Sequence, residues 1–326
     1  MNGGAAVKYI GIALLIAAGF VLLTLGLAFL LFRLAFGARK TTEKEMFVLP
    51  DTDQYRPYAA EARRMIRAAL ALPYEPVTIR SDDGLTLFGR CYPAAPDAPW
   101  LLLFHGYRSA AERDFCGGLP FGMGMGCNVL LVDERAHGKS GGSCLTLGIR
   151  ERYDCRRWVD YVIGRAGPDA KIVLYGMSMG AATVLMAAGP ELPKNVAGIV
   201  ADCGFVSPEE QIGQTLKDWW HLPRQPFLWI ADHIARRKAG FSFWEYSTLK
   251  AMETNTKPIL FVHGLDDRFV LPEGTVKNFN ACRAEKDLLL VKGARHMQSY
   301  LLATAEYQER LKRFFAQHDQ EKEGGA

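Results

Sequence analysis

Serine becomes a useful nucleophile only where a base takes its proton and a carboxylate holds that base in place. Ser178 stands in the string Gly176-Met177-Ser178-Met179-Gly180, after a short apolar run, Lys171 to Tyr175, and before a helical pattern, Met179 to Ala188. Between a strand and a helix, such a GxSxG string describes a strained turn that lifts the hydroxyl above the sheet. Its glycines let neighbouring backbone approach closely, and the helix N-terminus beneath favours developing negative charge. The chemistry implied is attack on a carbonyl carbon with a covalent acyl intermediate.

The partners of such a serine should lie downstream. The apolar run Ile259 to Val262 leads into His263-Gly264-Leu265-Asp266-Asp267, and Asp287 to Val291 leads through Lys292-Gly293-Ala294-Arg295 to His296. His296 is read as the base. Asp267 and Asp266 are the candidate acids, with Asp202 a third at the end of the run Ala197 to Ala201. His105, His137 and His263 each precede a glycine in turn-forming strings and read as structural histidines. His221 and His233 fall in a helical insertion with no partner legible, and Asp133 and Arg135 read as a loop-stabilising pair. The string Gly122-Met123-Gly124-Met125-Gly126 precedes a strand instead of following one, which makes it a helix-to-strand turn and not a dinucleotide fingerprint. The seven cysteines show no CxxC pair and no histidine at ligand spacing, so they read as free thiols; no metal and no cofactor is expected.

The elements that must position these residues are short, nearly continuous apolar runs of the kind buried on both faces of a sheet. They are Trp100 to Phe104, Asn128 to Val132, Lys171 to Tyr175, Ala197 to Ala201, Ile259 to Val262 and Asp287 to Val291, preceded by a hairpin, Val77 to Arg80 and Leu85 to Tyr92. Helical stretches alternate with them: Ser109 to Phe115, Arg150 to Arg165, Met179 to Ala188, Thr275 to Ala281 and Ser299 to Gln317. This alternation predicts one α/β domain over residues 76–317 with a mostly parallel sheet flanked by helices. Residues 204–256 interrupt it as a helical insertion rich in aromatics, with residues to wall an acyl pocket, meet a membrane interface or pack a small cap core. Residues 318–326 read as a disordered tail.

The chain resembles an α/β-hydrolase fold serine hydrolase of the membrane-anchored type, close to the branch that includes serine aminopeptidases. Besides the elbow, Leu103-Phe104-His105-Gly106-Tyr107-Arg108-Ser109 is similar to the oxyanion-loop motif of that family. Val132-Asp133-Glu134-Arg135-Ala136-His137-Gly138-Lys139-Ser140-Gly141-Gly142 is similar to its fourth-strand exit. The resemblance implies the order Ser178, Asp267, His296 for a triad, since the acid segment fits an HGxxDxxV pattern. It also implies an oxyanion hole from the backbone N–H groups of Tyr107 and Met179. The implied activity is hydrolysis of an ester or thioester of a small acyl substrate, with a serine aminopeptidase or amidase as the alternative within enzymes; an N-terminal anchor and the aromatic insertion point to a lipid-like or acylated substrate near a membrane. A non-catalytic membrane-anchored binding protein is the alternative from another class.

From Tyr9 to Phe32, 24 consecutive residues carry no charge, a stretch that as a helix measures roughly 36 Å and suffices to cross a hydrocarbon core with some tilt. It exceeds the apolar region of about 7 to 15 residues in a secretory signal. Residues 1–40 are therefore read as a single-span anchor, and residues 41–75 as a juxtamembrane connector with one helix, Tyr58 to Leu72. Lys8 precedes the span and Arg33, Arg39, Lys40 and Lys44 follow it, which predicts a cytoplasmic catalytic domain. Overall charge is balanced, with 39 Lys and Arg against 35 Asp and Glu, so no nucleic-acid partner is expected.

Overall fold

Glu75–Arg80 (β1) and Thr86–Tyr92 (β2) pair antiparallel across a turn in which the Ser81 hydroxyl accepts the Leu85 N–H at 2.8 Å and Gly84 takes a φ of 83°. Trp100–Phe104 (β3), Asn128–Asp133 (β4), Ile172–Met177 (β5), Val196–Asp202 (β6), Ile259–Gly264 (β7) and Lys286–Val291 (β8) continue the sheet. Its order is β1-β2-β4-β3-β5-β6-β7-β8; β2 meets β4 antiparallel, and every later pair is parallel. This is the α/β-hydrolase fold in a computed structural model that describes residues 3–49, 53 and 55–319. β3, β4, β5 and β7 are buried along their whole length. Their unbroken Val, Leu and Ile runs are what a strand covered on both faces requires.

The N-terminal part holds Gly3–Phe36 (α1) and Ala59–Leu70 (α2), with one further helical turn in the connector, Glu43–Met46, which Thr42 and Glu45 cap reciprocally. Glu151–Ala166 (α3) and Met179–Ala187 (α4) pack on one face of the sheet, whose core is built from Leu102, Leu130, Leu174 and Ile199 with Trp158 and Val184 from the helices. On the other face, Leu101, Leu103 and Val129 pack with Phe115, Tyr307 and Leu311. The insertion supplies Pro208–Asp218 (α5) and Phe227–Ala239 (α6). Helix α5 starts as its sequence demands: the Ser207 hydroxyl accepts the Glu210 N–H at 3.1 Å, Pro208 opens the first turn, and Glu209 and Glu210 face the positive end of the dipole. Pro272–Ala281 (α7) and Thr304–Asp319 (α8) complete the domain. The expected tail begins inside the last turn of α8, and its residues 320–326 lie outside the described residues.

The cap aromatics divide between fates. Phe241 and Phe243 are buried, and the Phe243 ring lies 5.3 Å from that of Phe36 on α1; Trp219, Trp220 and Trp229 are each more than half exposed. Helix α1 therefore does not stand clear of the domain. Phe32 and Phe36 are buried in the core that α5, α6 and the sheet edge share. The chain leaving α1 is joined to the loop after β4 by Ala38 N–H to Ser143 O (3.1 Å), Leu145 N–H to Phe36 O (2.9 Å) and Arg39 N–H to Ala136 O (2.7 Å).

Two readings of the sequence need correction. Asp133 and Arg135 are not partners, because β4 ends between them. Asp133, its last residue, accepts from Arg90 on β2 at 2.8 Å, whereas Arg135 has passed the strand end and grips Asp154 on α3 at 2.6 Å and Asp83 at 2.8 Å. His233 does have a partner, since its ring stacks on Trp229 one helical turn earlier with centroids 5.8 Å apart. The glycine string divides as a helix end and a turn: Gly122 and Gly124 finish the helix Gly118–Gly124, and Gly126 turns out at φ 77°.

Candidate active site

β5 delivers Ser178 into the turn before α4 at φ 54° and ψ −113°, a region that a non-glycine residue enters only at a cost in strain. The flanking glycines make the turn possible. A Cβ on Gly176 would strike the Gly180 carbonyl, and one on Gly180 would strike the Phe104 carbonyl of β3. The Ser178 N–H is spent on Asp202 O at 2.8 Å, which fixes the elbow against β6.

β7 and β8 bring the other two side chains to the same sheet edge. His296 Nε2 lies 3.0 Å from Ser178 Oγ, and His296 Nδ1 lies 2.7 Å from Asp267 Oδ2. The carboxylate can only accept, so Nδ1 carries the proton and Nε2 is left to accept the serine hydroxyl. Asp267 is buried, and its Oδ1 accepts the N–H groups of Phe269 at 2.8 Å and Val270 at 3.0 Å. Burial alone would raise its carboxyl. Hydrogen bonds from His263 and His296 outweigh that cost and hold it well below the usual carboxylate range.

The other candidate acids are disposed elsewhere. Asp266 points to solvent beyond the strand end. Asp202 is fully buried behind the site, accepts from the Tyr307 hydroxyl at 2.9 Å, and is pushed up to about 6 by burial. His263 Nε2 faces Asp267 Oδ2 at 3.2 Å and Val270 O at 3.0 Å, while its Nδ1 meets the Thr275 hydroxyl at 2.6 Å. Two acceptors at Nε2 place the proton there, so His263 donates to the same carboxylate oxygen that His296 meets. The Cys203 thiol sits close by as well, with its sulfur, a carboxylate oxygen of Asp267 and a ring nitrogen of His296 all within 4.8 Å of one another. Burial pushes that thiol well up, which keeps it in the neutral form that binds metal poorly.

The loop after β3 faces the serine from the opposite wall. Among the described residues, no acceptor engages the backbone N–H of Met179 or of Tyr107, the two donors expected to receive an oxyanion. The loop is held from both ends. Asp114 accepts the Gly106 N–H at 2.7 Å and the Ser109 hydroxyl at 2.5 Å, and His137 Nε2 accepts the Arg108 N–H at 3.1 Å. His105 Nε2 likewise accepts the Glu134 N–H at 3.1 Å. Burial lowers both histidines, His137 to about 3, so both are neutral and able to accept. Gly106 is needed because a Cβ there would crowd both the Asp114 carboxylate and Ser178 Cβ. Asp114 and the bracing role of His263 were not evident in the sequence; the HGxxD spacing that places His263 four residues before Asp267 is the signal that pointed to the latter.

In front of Ser178 opens a cavity of about 450 Å³, lined by Tyr107, Leu147, Phe205 and Phe269 near the serine and by apolar side chains of α1, α5 and α6 beyond. An elongated apolar pocket with few polar groups suits a hydrophobic substrate.

The comparisons with known proteins bear on the fold and the family. An esterase from Pyrococcus furiosus, Pf2001, superposes with a TM-score of 0.60 at 24% identity over 77% of this chain and 94% of that one. Acylaminoacyl peptidase from Pyrococcus horikoshii superposes with a TM-score of 0.55 at 16% identity, over 80% of this chain and 44% of that one. Among curated sequences, the uncharacterized protein YqkD of Bacillus subtilis is 31% identical over 190 residues, 58% of this chain and 62% of its own length. The chain thus spans under two thirds of that relative. Alpha/beta hydrolase domain-containing protein 17B of Xenopus laevis is 24% identical over 243 residues, 74% of this chain and 73% of the relative. The model of the prolyl oligopeptidase family matches residues 135–322, which include the elbow, the acid loop and His296. With more than half of its length matched, the chain belongs to the prolyl oligopeptidase family of α/β-hydrolase fold proteins.

Proposed function

We propose that the protein is a serine hydrolase that transfers an acyl group from an ester or thioester to water. The observation that carries this reading is the line Ser178 Oγ, His296, Asp267, at 3.0 and 2.7 Å, at the end of an apolar cavity. Ser178 Oγ attacks the substrate carbonyl carbon as its proton passes to His296 Nε2, and Asp267 stabilises the imidazolium that forms. The negative charge on the former carbonyl oxygen is received by the Tyr107 and Met179 N–H groups. One such donor is worth about 2.7 to 4 kcal/mol of barrier. Collapse expels the alcohol or thiol, which leaves with the proton that Ser178 had given to His296, and Ser178 is left acylated. Water then attacks the acyl-enzyme, with His296 accepting its proton and returning it to Ser178.

Membership of a peptidase family supports a second reading, cleavage of an amide at a free amino terminus. Such a site needs an uncommitted carboxylate. Of the cap carboxylates, Asp232 is engaged by Arg236, Ser242 and the Phe243 N–H, and Glu245 by Arg150 and Arg152; Asp218 meets the Gln214 amide on the exposed face of α5, and among the described residues no carboxylate lines the cavity. The ester reading is therefore preferred.

Helix α1, long and apolar enough to cross a membrane from Lys8 to Phe36, is read as the anchor, with the basic residues that follow it on the cytoplasmic side. An impermeant maleimide should label Cys116 and Cys144 only after cells are permeabilised. Labelling of intact cells would reverse the orientation.

The catalytic reading is tested by hydrolysis of a p-nitrophenyl ester series and an aminoacyl anilide by the full chain beside Ser178→Ala. Ester turnover abolished in the variant is the expected result. Turnover of the anilide alone would replace the ester reading with the peptidase one.

A further inference from the structure

The cavity that ends at Ser178 is walled along its length by α1. Thr24, Leu27, Ala28 and Leu31 line its far part together with Trp220 and Phe227 of the cap, and Ala35 lines it near the serine. The near end is fixed, because the Tyr107 hydroxyl donates to Ala35 O at 2.6 Å. From Ala35 back to Thr24 the wall runs three turns of helix, roughly 16 Å. Thr24 adds little polarity to it, since its hydroxyl donates to Phe20 O of its own helix at 2.9 Å.

The depth of that wall follows from the charges that bound the helix. A hydrocarbon core takes about 20 helical residues, and the uncharged stretch runs only from Tyr9 to Phe32. Every window of that length between Lys8 and Arg33 contains Thr24, Leu27 and Ala28. The far wall of the cavity is then at hydrocarbon depth wherever the helix sits. Lys238 of α6 places its ammonium 5.4 Å from the Phe29 ring centroid, which sets the aqueous boundary near Phe29 and favours the window that starts at Tyr9. Trp220 and Trp229, each about three-fifths exposed, then face the lipid interface, where tryptophan is favoured.

We infer that the membrane helix is one wall of the substrate site, and that the occupant is the long acyl chain of a membrane-resident ester or thioester, laid along α1 from Ala35 to Thr24. This rests on the serine-hydrolase and anchor readings above and adds to them the position of the chain. A soluble substrate would need no wall at that depth. An anchor that served only to tether the domain would need neither Phe32 and Phe36 buried against the cap nor a cavity between helix and cap.

The test uses the full chain in phosphatidylcholine vesicles and a palmitoyl-length fluorophosphonate with a photoreactive diazirine at the end of its chain. Reaction at Ser178 followed by illumination should give a second crosslink within the α1 peptide around Thr24 to Ala28. Crosslinking confined to other elements, with Ser178 modified, would overturn the inference while sparing the hydrolase. No modification of Ser178 would instead overturn the hydrolase reading on which it rests. In the same vesicles, Ala28→Trp should lower the ratio of p-nitrophenyl palmitate to p-nitrophenyl butyrate turnover at least tenfold. Leu15→Trp, at a lipid-exposed position outside the cavity, should leave that ratio as in the wild type. Equal ratios in all three proteins would count against the inference. A palmitoyl oxyester and a palmitoyl thioester compared in this format identify the leaving group, and preference for either over its short-chain counterpart supports the assigned chain position.

Discussion

The Tyr107 hydroxyl donates to the carbonyl oxygen of Ala35 at 2.6 Å, so the loop that faces Ser178 is fastened to the last turn of the N-terminal helix. Ala35 O is among the carbonyls that a helix end leaves without an intrahelical partner. One bond thus caps α1 and positions Tyr107, whose backbone N–H is an oxyanion donor in the proposed mechanism. Tyr107→Phe keeps the ring and the amide and removes only this tie. A bond of this kind contributes about 1 kcal/mol, and kcat/KM on a short ester should fall about fivefold, measured by steady-state hydrolysis.

Asp114 holds the same loop from the other side. Asp114→Ala strands the Gly106 N–H and frees the Ser109 hydroxyl. The larger consequence is at Tyr107, whose amide loses its aim. Displacing one oxyanion donor costs about 10²–10³ in kcat, and Asp114→Ala should approach that range while Asp114→Asn, which can still accept from Gly106, retains most of the activity. Parallel urea denaturation separates the catalytic loss from any loss of folding.

His263 bonds the carboxylate that orients His296. In His263→Ala the Asp267 carboxyl loses one of the two histidines that hold it below the ordinary range, so its value should rise toward that range. In that variant kcat should fall about tenfold with KM unchanged, and the acidic limb of the pH–rate profile should move to higher pH. A KM effect without a kcat effect would place His263 outside the catalytic chain.

Much of this arrangement is legible in the chain because it is local. A strand buried on both faces has to be an unbroken apolar run, and the elbow has to carry glycine where a Cβ would strike backbone, so Lys171 to Gly180 reads almost directly. The choice among Asp202, Asp266 and Asp267 is different. All three leave strand ends at one edge, and only the sheet twist and the turn at Asp267 decide which faces His296. Asp133 and Arg135 mislead for the same reason: two opposite charges two residues apart look paired until the strand ends between them. The role of α1 is the least legible feature. An apolar helix has the same composition whether its neighbour is lipid or an acyl cavity, so nothing from Thr24 to Phe36 distinguishes a wall from a tether. The burial of Phe32 and Phe36 is a tertiary fact.

Two neutral histidines, His105 in the loop after β3 and His137 in the loop after β4 that braces it, give stability a defined pH sense. An unfolded histidine titrates near 6.5, whereas folded His137 is lowered to about 3 and His105 is lowered as well, both by burial. Between those values the unfolded chain binds protons that the folded chain refuses, so their contribution is full above about pH 6.5 and is lost progressively as pH falls. Asp202, raised to about 6, acts in the opposite sense: the proton it holds when folded stabilises most below its ordinary carboxylate value, and that contribution is lost as pH rises through about 6. Removing one histidine isolates its part. His137→Gln should show a smaller loss of urea midpoint between pH 6.5 and 5 than the wild type.

Trapping the acyl-enzyme identifies the nucleophile. The full chain is mixed with a slowly deacylating p-nitrophenyl ester, quenched in acid within the burst, and analysed by peptide mass spectrometry. The account predicts one acyl group on the peptide carrying Gly176-Met177-Ser178-Met179-Gly180, localised to Ser178 and absent from Ser178→Ala. An acyl group on Cys203 or elsewhere, or turnover that persists in Ser178→Ala, would contradict it.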